Sequence, residues 1–162
     1  MKTAIGCVAY ALAIVAANAS IAFFGPWISP INSFVLIGLD LALRDWLHVR
    51  LKPLEMALLI AASGLITWGV NAAPAQIALA SSVSFVAAAL LDWMVFSALR
   101  TRTWLVRSNA SNVAGASLDS VLFPTLAFGV LMPHIIALQF VAKVGGGALW
   151  AFVLRGRRAR PA

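Results

Sequence analysis

Charge is scarce in this sequence. Of 162 residues only 10% are Asp, Glu, Lys or Arg, and five of those are acidic. A soluble domain of this length carries far more charge on its surface, so an ordinary water-soluble globule is excluded. Cysteine is nearly missing too. The single Cys7 lies in an apolar run, which excludes a disulfide framework and a multi-cysteine metal site. The sequence also has no HExxH, no GxSxG and no phosphate-binding glycine loop, and no GxGD surrounds Asp40 or Asp119. Neither enzymatic activity nor a resident cofactor is therefore expected. No low-complexity linker or convincing repeat divides the chain, so one bundle is the expectation.

What the sequence has instead is apolar length. Hydrophobic residues make up 62% of it, and the mean hydropathy is +0.96. Six apolar segments can be drawn at roughly 2–24, 31–48, 54–71, 76–98, 110–132 and 134–154, most near the ~20 residues that span a bilayer. The expected fold class is an all-α integral membrane protein with six transmembrane helices.

The net charge of +7 is distributed in a way that argues against nucleic acid. Arg50 and Lys52 separate the second and third segments, and Arg100, Arg102 and Arg107 the fourth and fifth. Arg155, Arg157, Arg158 and Arg160 follow the sixth. The alternate connections ("GPWISP", "NAAPAQ" and Pro133-His134) carry no Lys or Arg. That is the positive-inside pattern, and it puts both termini in the cytoplasm of a multi-pass inner-membrane protein. The opening "MK", an apolar run and "AANAS" also resemble a signal peptide, but cleavage there would leave five segments and break the charge alternation. A retained first helix is the expectation. His48 and His134 then fall on opposite sides and share neither a metal nor a dyad. Trp27, Trp46 and Trp104 fall near the interfaces, where aromatic belts form.

With that orientation, a rise of ~1.5 Å per residue gives depths. Asp40 lies ~15 Å from the cytoplasmic edge, and Asp119 and Lys143 lie ~18 Å in. In a core ~30 Å thick these three converge near the midplane. Asp92 and Arg44 form a second layer nearer the cytoplasm. Each such residue costs about 2.5–3.5 kcal/mol at a helix centre, so the five should face inward and neutralise one another. Asp40 and Arg44 share one helix face in the favourable i,i+4 order, and Lys143 can pair with Asp119 or Asp40. Counted so, three acids against two bases leave one carboxylate unpaired. Ser108, Asn109, Ser111 and Asn112 read as an N-cap region at the surface, and Ser117, Asp119 and Ser120 as a stripe lining a cavity. Asn18 could add an amide to that cavity or bond between helices. Ala9, Ala13 and Ala17 and the run Gly145-Gly146-Gly147 read as packing faces.

The stretches "SFVLIGLDLALRDWL", "LLDWMVFSALRTRTWL", "SNVAGASLDSVLFPTLAFG" and "FVAKVGGGALWAFVL" resemble the VUT/YhhQ family of queuosine-precursor transporters. The resemblance covers most of residues 31–155, with Asp40, Arg44, Asp92, Gly115, Asp119, Ser120, Phe123 and Lys143 in the family's slots. It implies a fold similar to the substrate-binding subunits of ECF vitamin importers, and uptake of 7-cyano-7-deazaguanine or a related 7-deazapurine. A guanine-type edge offers two adjacent N–H donors that one carboxylate can accept, from Asp119 or Asp40. Lys143 would donate to the ring carbonyl, with Phe123 or Phe34 stacking on the ring and Ser120 and Asn18 beside it. Arg44 and Asp92 would be a gate or structural ion pair. The expected partners are a purine-like small molecule and the lipid bilayer, with the chain working alone or as a homodimer. The alternatives are an ECF-type binding subunit, docked to an energising partner through the alanines of the first helix, and a membrane scaffold.

Overall fold

The computed structural model describes residues 2–24, 28–70 and 75–155. Within them every regular element is helical: α1 (Lys2–Phe24), α2 (Ser29–Asn32), α3 (Gly38–His48), α4 (Pro53–Val70), α5 (Ala75–Ala98), α6 (Trp104–Phe128) and α7 (Pro133–Leu154). A π-helical turn, Ser33–Ile37, joins α2 to α3 without a break, so these three pieces form one rod and the described chain forms six. Trp27, Asn71 and Arg157, Arg158 and Arg160 lie outside the described residues, as does the side chain of Asn18.

Punctuation follows local chemistry. Gly129 adopts φ 73° beyond α6 and returns its N–H to the Thr125 carbonyl, a left-handed stop that glycine adopts without Cβ strain. Pro133 then opens α7 at a position where its missing N–H costs nothing. The α6 helix begins at Trp104, several residues before the apolar run that starts near 110. Its first turns are polar, but they are packed and not solvated.

The distribution of polarity is inverted relative to a soluble protein. Asp40, Arg44, Asp45, Asp92 and Lys143 are buried, while Phe23, Leu54, Leu65, Met94, Leu131 and Val141 are each at least 65% exposed. Apolar side chains so exposed need a partner other than water. Two helices, Leu79–Ala98 and Pro133–Leu154, are long and apolar enough to cross a membrane. Together with the outward apolar surface, this marks a membrane protein.

Contacts along the rods give their directions. Arg107 meets Phe96 while Gly115 meets Ala88 and Asp92, so α5 and α6 are antiparallel. Trp104 reaches Ala151 and Asp119 reaches Lys143, so α6 and α7 are antiparallel as well. Tyr10 meets Arg44 and Ala17 meets Asn32, which sets α1 against the second rod. The positively charged turns after α3 and α5 and the end of α7 therefore gather at one end. There, Arg50 and Arg107 lie over the rings of Trp46 and Phe96 at 3.5 and 3.9 Å and donate to the Trp46 and Phe96 carbonyls. Trp46 and Trp104 are 8% and 6% exposed, in the core with Tyr10, Leu47, Phe96 and Ala151. They are core residues and form no belt.

Candidate functional site

The second rod is the centre of the site. Its π turn departs from the regular i→i+4 ladder, with Gly38 N–H bonded back to the Ser33 and Val35 carbonyls, and π turns recur at functional sites. Trp150 of α7 donates its indole N–H to Val35 O at 2.9 Å. The glycines of α7 make that approach possible. A Cβ on Gly146 would lie 1.9 Å from the Phe34 carbonyl oxygen, whereas one on Gly145 would meet only the Phe34 ring, at 3.4 Å. At the start of the rod Asn32 donates to the Ala17 carbonyl at 3.1 Å and to the Ser20 hydroxyl at 2.7 Å, tying α1 to it.

This close packing leaves a cavity of about 160 Å³ between the helices. Asp40 and Arg44 come to it from α3, Asp119 and Phe123 from α6, and Lys143 and Gln139 from α7. Ser33, Thr67 and Phe85 complete much of the wall. The structure thus brings together Asp40, Asp119, Lys143 and Phe123 of the expected site residues. Ser120 is fully buried beside them, 3.4 Å from Lys143 Nζ. Phe34 is not on this wall: it is 40% exposed and lies on Gly145. Ser117 points away as well, exposed and bonded back to the Val113 carbonyl.

The charges pair in a definite way. Arg44 Nη2 donates to Asp40 Oδ2 at 2.6 Å, and both side chains are almost fully buried. Lys143 chooses Asp119, at 2.6 Å, and donates also to Gln139 at 3.0 Å. Arg44 is further held by the Tyr10 hydroxyl at 3.3 Å and by the face of Phe85, 5.3 Å from its centroid. Its other terminal nitrogen faces Asp92 Oδ2 at 3.9 Å, beyond hydrogen-bond reach. Asp40 Oδ1 has no partner. The cavity wall therefore carries a buried carboxylate oxygen without a donor, a neutral lysine–aspartate pair and two aromatic rings.

The expected count of three acids against two bases is corrected here. Asp45 is wholly buried and accepts the Ser111 hydroxyl at 3.2 and 3.3 Å, so four acids face two bases. Asp45 directly follows Arg44 near the cytoplasmic-looking end of its segment, and that position disguises it as a surface residue. Ser108, Ser111 and Asn112 are likewise buried in α6 and do not cap it; the residue at the cap is Thr103, whose side chain makes no capping bond. Their i, i+3, i+4 spacing was the available signal of a shared inward face. Gln139, Tyr10, Thr67 and Phe85 were not distinguishable in sequence from packing residues.

A family model described as "Putative vitamin uptake transporter" matches residues 4–154. Curated proteins and solved structures give no match to this chain.

Proposed function

The chain belongs to that family of vitamin uptake transporters, and from this premise we propose that it imports a small planar ring compound through the Asp40 cavity. The proposed substrate is 7-cyano-7-deazaguanine or a related 7-deazapurine. The observation that carries the reading is the unpartnered Oδ1 of Asp40, buried in the wall of the cavity between the helices. An unmet charged acceptor there costs about 1–3 kcal/mol or more, which a ligand N–H recovers. The N1–H and exocyclic amine of a guanine edge supply such donors, and a charged acceptor makes the stronger bond. Each acid already holds a cation at 2.6 Å through one oxygen; Asp119 is the poorer choice for that edge because only Asp40 adds a buried oxygen without a donor. Lys143 and Gln139 suit the ring carbonyl, while Phe85 and Phe123 suit the ring faces.

Size sets a condition. A cavity near 150 Å³ takes a benzene ring, so the observed volume of about 160 Å³ holds one ring, and a two-ring base requires the wall to widen. Gln139 and Phe123, both only half-buried, are the side chains that can yield.

The proposed setting is six spans in the inner membrane with both termini cytoplasmic, a fold similar to ECF substrate-binding subunits and no enzymatic activity. Docking of a partner through the alanines of α1 is not favoured. Ala13 and Ala17 are 5% exposed inside the bundle, and α1 turns Ile5, Val8 and Leu12 outward. The test is uptake of labelled 7-cyano-7-deazaguanine by cells that neither make nor import it. Uptake with the wild type, lost in Asp40→Asn at equal expression, is expected. Equal uptake by both would remove the site, and none by well-inserted wild type would redirect the search to single-ring solutes.

A further inference from the structure

The cavity does not use all the buried acids. Asp45 and Asp92 are 0% and 1% exposed, yet the two interior cations are committed at 2.6 Å to Asp40 and Asp119. Neither oxygen of Asp92 has a hydrogen-bond partner. Asp45 and Asp92 face one another electrostatically, and Ser111 lies beside both. The charged groups around them are Arg44 and Asp40 on α3 and Arg107 on α6. Arg107 is engaged with the carbonyl and ring of Phe96. His48 turns to Trp93 and Ser97, Tyr10 of α1 is bonded to Arg44, and Lys143 of α7 to Asp119.

A second observation points to the same place. Ser108 Oγ and both amide atoms of Asn112 are buried without a partner. With Ser111 and Gly115 they form an i, i+3, i+4, i+7 face of α6, and it is Gly115 that packs on Asp92, its Cβ position 3.2 Å from that of Asp92. This face runs from the basic end of the bundle to the two acids. Two ionised carboxylates without a countercharge are not sustained in such an interior; one of them keeps a proton, which belongs to the pair.

We propose that Asp45 and Asp92 form a proton-binding site, coupled to the cavity through Arg44. The inference rests on the cavity being the substrate site. Arg44 holds Asp40 with one nitrogen and faces Asp92 with the other. A ligand N–H on Asp40 draws charge from the Asp40–Arg44 bond. The guanidinium can then move the ~1 Å that separates its 3.9 Å approach to Asp92 from a charge-assisted bond. In that step the carboxylic O–H of the pair breaks and the proton leaves along Ser108 and Asn112 to the basic end. An Arg44 N–H bond to the new carboxylate balances the charge, and ligand release reverses each change.

Infrared spectroscopy of the purified protein in lipid bilayers tests this without depending on the substrate. At neutral pH the wild type should show a protonated carboxylic acid C=O band. Asp45→Asn and Asp92→Asn should each lose it, while Asp119→Asn keeps it. Asp40→Asn should also lose it, because the released Arg44 turns to Asp92. Should Asp45→Asn not fold, Ser111→Ala should shift the band frequency instead. A wild type without the band, or a band surviving in both Asp45→Asn and Asp92→Asn, overturns the proposal. Added 7-cyano-7-deazaguanine should abolish the band. A band unmoved by a base that cells demonstrably take up overturns the coupling. An assigned band with no uptake of that base upholds the proton site and counts against the substrate.

Discussion

Lys143 shows what a single side chain does in this bundle. It is 4% exposed and holds Asp119, Gln139 and Ser120. Removing one partner of a buried pair leaves an uncompensated charge, at a cost of about 3–5 kcal/mol; the partial exposure of Asp119, 24% of its side chain, puts this pair at the lower end. Lys143→Met should therefore lower the thermal midpoint of the detergent-solubilised protein sharply. The double variant Asp119→Asn/Lys143→Met should recover most of that loss, because it removes both charges together. Uptake should stay absent in both if the pair meets the ligand, so stability and transport separate. A double variant no more stable than Lys143→Met would mean that Lys143 acts by packing its stem. That Lys143 faces the interior was legible from its depth. Its choice of Asp119 over Asp40 was not, since the two acids stand at equal reach until Arg44, on the same helix face as Asp40, has taken its partner.

At the scale of elements, the decisive contact is the crossing of the π turn on α7. Its glycines are not equivalent, although the sequence presents Gly145-Gly146-Gly147 as one run. Gly146→Ala would press a methyl group into the Phe34 carbonyl, 1.9 Å away. Backbone cannot yield there, so a loss of about 3 kcal/mol or more is expected, at the top of the overpacking range. Gly145→Ala meets a half-exposed ring at 3.4 Å and should change the thermal midpoint little. Trp150→Phe should cost about 1 kcal/mol, the net worth of its bond to Val35 O. Equal midpoints for the two glycine variants would contradict this crossing. The helices themselves were legible because each is a long apolar run. The π turn was not, since "SFVLI" carries no residue that forces it and its cause lies in α7. The true start of α6 was hidden for a related reason: Ser108, Ser111 and Asn112 are polar, and only acids and cations from other helices give polar side chains a reason to be buried.

The whole molecule is organised by where charge can go. Outward-facing surface takes Leu65, Met94 and Val141, the interior takes the Asp40–Arg44 and Asp119–Lys143 pairs and two further acids, and Arg50, Arg107 and Arg155 gather at one end, stacked on aromatic rings. Loop charge alone anticipated which end that is, because it depends on counting Lys and Arg and on no tertiary contact. It also makes the orientation testable. With half-buried Cys7 first replaced by Ala, a cysteine at exposed Lys52 or Arg102 lies at the basic end, and one at Leu131, 65% exposed, at the other. In intact cells an impermeant maleimide should label Leu131→Cys and leave Lys52→Cys and Arg102→Cys unlabelled until the membrane is opened. The reverse pattern would invert the bundle and send the proton of the Asp45–Asp92 pair outward. Labelling of all three would mean that α6, which separates Arg102 from Leu131, does not cross the membrane. The expected pattern places Asp92 between the cavity and the cytoplasm, so a proton released on substrate binding leaves on the side to which the substrate is delivered. Ligand release takes the proton back by the same route, so the pair links substrate affinity to the pH on that side: a lower pH there favours the protonated pair and weakens binding.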